Sequence, residues 1–138
     1  MKPEEAMLRM NLAAAYPKEA ELDHWYRTIG LKRGGNAEVI LRDEFRLHHR
    51  PGKVQLHFMV PVEPKLCRQQ IELRSSNGSL YELTYDSSIW SPSIDVRKLE
   101  ESEHRMIANW KTEQLYRITL DALPGLESAQ SAIVIRKK

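Results

Sequence analysis

KEAELDHWYRTIG, residues 18–30, decides how the N-terminal part of the chain is read. Leu22, Trp25, Tyr26 and Ile29 fall at i, i+3, i+4 and i+7, the spacing that gathers apolar side chains into one stripe of an α-helix. Gly30 follows directly, where a helix commonly ends in a left-handed residue. Upstream, Pro3 suits a first helical position, and Glu4 and Glu5 suit the positive end of a helix dipole. Leu8, Leu12 and Ala15 then share a face until Pro17, which lacks an amide proton and disfavours helix at Tyr16. The expectation is a helical segment over residues 1–30, made of two short helices.

LKRGGN, residues 31–36, breaks that pattern with adjacent glycines, and from Ala37 the apolar period falls to about two. Expected strands are 38–42, 44–49, 53–60, 69–75, 79–86, 104–110, 114–120 and 132–136, separated by Pro51-Gly52, Pro61, Pro64, Asn77-Gly78, Ser91-Pro92-Ser93 and Pro124-Gly125. The charged stretch 96–105 reads as a short exposed helix or a polar loop. The fold class is therefore α+β: N-terminal helices followed by a mainly antiparallel β-sheet or β-sandwich of about six to eight short strands. Residues 1–138 are read as a single domain, with 36–138 as its β-rich portion.

Two hairpins can be put in register. A three-residue loop with Gly78 in the left-handed region pairs Leu73 with Tyr81 and Ile71 with Leu83, and it places Tyr85 inward. A two-residue turn would set Leu73 against a glutamate, so the longer loop is preferred. Around FRLHHRPGKVQLHF, residues 45–58, a turn at Arg50–Lys53 would pair Leu47 with Leu56 and Phe45 with Phe58. Arg46, His48 and His57 would then share the opposite, outer face.

The bulk composition excludes several classes. With 41% apolar and 29% charged residues and a net charge of +2, the chain resembles an ordinary globular protein. Cys67 is the single cysteine, so neither an internal disulfide nor a CxxC motif exists. No apolar run approaches the ~20 residues of a membrane-spanning helix. The N-terminus lacks a secretory h-region, so a cytoplasmic location is expected, with a mature domain of an exported precursor as the alternative.

No catalytic signature stands out. There is no GxSxG, P-loop, GxGxxG or HExxH, and no catalytic residue, cofactor site or metal site is assigned. His48 and His57 with His104 or Glu44 would make only a sparse zinc site, which ordinarily needs three or four protein ligands. The reading is a non-catalytic binding or assembly module that recognises a protein partner, or a second copy, through sheet edges and loops. Trp90, in a proline-containing loop, is the candidate partner contact; equally, it caps the open end of a sandwich core.

The first alternative is a module for nucleic acid or another polyanion. Residues 27–53 hold seven Lys or Arg against three acids, and phosphates reward such an excess through counterion release. The candidate contacts are Arg33, Arg42, Arg46, His48, Arg50, Lys53 and His57. The second alternative is a small enzyme or ligand carrier, with a pocket between the N-terminal helices and a curved sheet faced by His24, Trp25 or Tyr26.

Overall fold

The computed structural model describes residues 4–48 and 53–138. Among them ten strands form: β1 Glu5–Asn11, β2 Leu22–Lys32, β3 Glu38–Leu47, β4 Gln55–Val60, β5 Lys65–Cys67, β6 Gln70–Arg74, β7 Leu80–Thr84, β8 Trp90–Lys98, β9 Gln114–Ala122 and β10 Ser128–Lys137. One short helix, α1 His104–Trp110, lies between β8 and β9. The strands make two antiparallel sheets, a larger one ordered β1-β2-β3-β10-β7-β6-β5 and a smaller one ordered β4-β9-β8.

The expected N-terminal helices are thus corrected to strands, and the α+β class to a mainly β fold of two sheets. The cause lies in β2. Its alternate residues Trp25, Arg27, Ile29 and Leu31 share one face, and Tyr26, Thr28 and Lys32 the other. A charged residue on the inward face and an aromatic one on the outward face hide the period of two. Arg27 is accommodated because the Asp43 carboxylate opposite accepts from its Nε at 2.7 Å and its Nη2 at 3.1 Å. Gly30 ends no helix; it sits within β2 between Met7 of β1 and Ile40 of β3. The break at residues 31–36 is instead the β2–β3 connection, where Gly34 takes φ +107°.

Other expectations fare unevenly. The pairs Leu73–Tyr81 and Ile71–Leu83 form as expected, with Gly78 at φ +86° and Asn77 Oδ1 accepting from the Ser79 amide at 3.0 Å. Residues 38–42 and 44–49, read as two strands, are joined in β3 through Asp43. Residues 104–110, read as a strand, are helix α1, which follows a capping box between Glu100 and Glu103. Strand β8 was hidden by Pro92, tolerated because β8 is an edge strand of the smaller sheet.

The 45–58 hairpin does not form. β3 pairs with β2 and β10, whereas β4 pairs with β9 in the other sheet. Phe45, Leu47, Leu56 and Phe58 still belong to one core, but they enter it from opposite sheets. Residues 49–52, with the Pro51-Gly52 signal, lie outside the described residues.

That core is built from Trp25, Phe45, Ile71, Leu83 and Ile133 of the larger sheet and Leu56, Trp90, Ile118 and Leu120 of the smaller. Trp25 stacks on Phe45 at 4.8 Å between ring centroids, and Phe45 meets Trp90 at 6.3 Å. Before β8, Asp86 closes an Asx turn by accepting from the Ser88 amide at 2.9 Å and the Ser88 hydroxyl at 2.6 Å. These bonds hold its carboxyl below the usual carboxylate range. The stabilisation they give is present above the unfolded carboxyl's range and is lost as pH falls through the lower folded value. Asp86→Ala should lower Tm at pH 7 by about 2–4 °C, and the gap from the wild type should close in acid; thermal melts between pH 2 and 7 check this.

Candidate interaction surface

The registers of the larger sheet define cross-strand rows on its inner face, because directly opposed residues point the same way. One row runs Leu8, Ile29, Leu41, Ile133. Its exposure falls from 58% at Leu8 to 37% at Ile29, to half-buried at Leu41 and to 0% at Ile133. In the next row, Ala6, Leu31, Val39, Ile135, the middle pair Leu31 and Val39 are each 37% exposed, and Ala6 and Ile135 are half-buried. Trp25 and Phe45 of the same strands are buried, so the bare part of the larger sheet is the side of β1, β2 and β3 that carries Leu8, Ile29, Leu31 and Val39. The apolar floor of the core therefore continues into solvent as a ledge of Leu8, Ile29, Leu31 and Val39.

Between this ledge and the aromatic core lies a polar row, Met10, Arg27, Asp43, Ser131. The Asp43 side chain has no exposure, and its Oδ1 also accepts from Trp25 Nε1 at 2.9 Å. Ser131 Oγ accepts from Trp90 Nε1 at 2.7 Å. Among the described residues no buried side-chain nitrogen or oxygen lacks a hydrogen-bond partner, so this row contributes structural bonding.

β1 borders the ledge and is the terminal strand of its sheet. The Leu12 amide donates to Trp25 O at 2.8 Å, and the Arg33 amide donates to Glu4 O at 2.7 Å. Even-numbered residues of β1 therefore direct their main-chain groups at β2, and odd-numbered ones direct theirs away from the sheet. Met7 is 67% exposed on this edge.

The outer face of the same strands carries two adjoining hollows of about 380 and 370 Å3 that share Arg42. Met7, Gly30 and Ile40 line the first; Arg9, Tyr26, Thr28 and Glu44 line the second. The Arg9 guanidinium lies 5.0 Å from the Tyr26 ring centroid, and His24 stacks on the same tyrosine at 5.4 Å. Both hollows are open and mixed in charge.

The residues singled out from sequence are scattered. Arg42 and Arg46 share the outer face of β3. His57 lies on the outer face of the smaller sheet, 3.2 Å from Thr119 Oγ1. Arg33 is in the β2–β3 connection, His48 is exposed just after β3, Lys53 is exposed just before β4, and Arg50 is outside the described residues. Trp90, read as a loop contact for a partner, is 1% exposed and packs in the core at the start of β8. Among the described residues, no three His, Cys, Asp or Glu side chains are grouped as metal ligands. No helix among them is long and apolar enough to cross a membrane.

The ledge escaped sequence reading because its residues are ordinary inward-facing strand positions. Only the unequal sizes of the two sheets expose them. Comparison with protein-family models and with curated proteins gives no match.

Proposed function

We propose that the chain is a non-catalytic assembly module that docks a protein partner through the β1–β3 end of its larger sheet. The observation that carries this reading is the ledge of Leu8, Ile29, Leu31 and Val39, a direct extension of the core beyond its cover. A contiguous apolar face beside a free edge is the kind of surface a protein partner covers. The polyanion reading has less support, because Arg42 and Arg46 lie on one outer face and His57 on the other. The pocket reading required N-terminal helices, which are absent among the described residues.

A photo-crosslinking residue in place of Leu31 tests the proposal in cells that make the protein. Discrete adducts to polypeptide are expected from position 31 and not from Ser93, on the outer face of the smaller sheet. Equal labelling at both positions, or none at 31, overturns it.

A further inference from the structure

We infer that β1, the free edge beside the ledge, pairs with β1 of a second copy of this chain in antiparallel, two-fold fashion with Met7 opposite Met7 of that copy. The inference goes beyond the docking reading: it concerns the strand edge, and it leaves the ledges of the two copies open as one continuous apolar floor.

Three observations lead there. First, main-chain donors and acceptors are already aimed outward at Glu5, Met7 and Arg9, the odd positions of the free edge. Two such edges can pair only with odd residues opposite odd ones. Second, charge selects among the registers that remain. With Met7 at the two-fold axis, Glu5 stands directly opposite Arg9 of the second copy, and Arg9 opposite its Glu5. Moving the axis by one residue, to Ala6 or to Leu8, sets Met7 opposite Glu5 or Arg9 and makes no charge pair; moving it by two, to Glu5 or to Arg9, sets like charge against like. Like charges directly opposed are unfavourable and opposite charges favourable, so the Met7-centred register stands out. Among the described residues Glu5, which stands opposite Lys32 of β2, and Arg9 form no ion pair within 4 Å. Arg9 rests on the Tyr26 ring, from which its long side chain can swing to a carboxylate across the edge.

Third, the pairing continues the apolar surface. Ala6 would lie opposite Leu8 of the second copy on the inner face, so the row from Ile29 through Leu8 would run on into Leu31 across the axis. The exposed Met7 side chains would meet on the outer face. The contact is isologous and closes at two copies, and it removes the unpaired edge that otherwise invites open-ended association.

Sedimentation equilibrium over a wide concentration range tests this on the whole chain. The wild type should rise from 16.1 kDa toward twice that mass. Glu5→Lys and Arg9→Glu should each weaken association by roughly tenfold, since each turns both symmetric ion pairs into repulsions. The double variant, E5K with R9E, should restore it. Met7→Pro should also abolish association while leaving the melting transition in place, because the Met7 amide faces away from β2. A wild type that stays at 16.1 kDa, single swaps without effect, or a double swap that fails to restore pairing would overturn the homodimer. Adducts from position 31 to another polypeptide would then leave the docking reading standing; absence of any adduct there would remove that reading separately.

Discussion

Asp43→Ala is expected to destabilise the fold by about 3–5 kcal/mol, the usual cost of removing one partner of a buried ion pair. Asp43 has no exposed side-chain surface, and three donated bonds converge on it, one from Trp25 Nε1 and two from Arg27. Alanine would leave the buried indole N–H without an acceptor and the quarter-exposed guanidinium without its counter-charge. Two controls isolate the cause. Asp43→Asn keeps an acceptor for Trp25 but sets an amide N–H2 against Arg27, so it should remain clearly destabilised. The pair Arg27→Leu with Asp43→Leu removes both charges and should be less damaging than Asp43→Ala alone. Urea unfolding monitored by tryptophan fluorescence measures all three; a cost below about 1 kcal/mol for Asp43→Ala, the scale of an ordinary exposed pair, would show that the network contributes little.

Trp90→Ala should be comparably severe, at about 3–5 kcal/mol. The ring is 1% exposed, packs near Phe45, and joins the two sheets through its bond to Ser131 Oγ. Alanine would open a cavity between the sheets and also strand a buried hydroxyl. Trp90→Phe retains most of the apolar contact and loses the bond, so it should cost about 1–3 kcal/mol. The same urea series checks the difference. If Trp90→Ala were nearly neutral, the indole would not be the packing element that its burial indicates.

These two residues also show why sequence reading succeeded in one half of the chain and failed in the other. In 70–84, inward positions are apolar and outward ones, Leu80 apart, polar or charged, so strand, turn and register were all legible. In β2 the inward face includes Arg27, stabilised by a carboxylate 16 residues away. No local rule announces that partner, and the remaining apolar residues mimic a helical stripe. Trp90 divides between a loop contact and a core cap in sequence for a related reason: Pro92 signals a loop, although an edge strand tolerates proline, and the structure places the ring in the core. The basic excess at 27–53 was real in sequence, but its members part: Arg27 turns inward to Asp43, Arg33 lies in the β2–β3 connection, and Arg42 and Arg46 lie on the outer face of β3. The ledge depends on how far one sheet overhangs another, a tertiary property with no signature of its own in the sequence.

The strand order carries a consequence for how the molecule is made. β3 and β7 are joined only through β10, which lies between them. A chain emerging from the ribosome can assemble the β1-β2-β3 meander early and the β5-β6-β7 meander soon after. Neither can be sewn to the other until residues 128–137 have been synthesised. Until then the two halves hold apolar faces with no common sheet, and closure waits on contacts distant in sequence, the slow kind. Synthesis therefore imposes a period of exposure, ended in one step by a strand that acts as the seam.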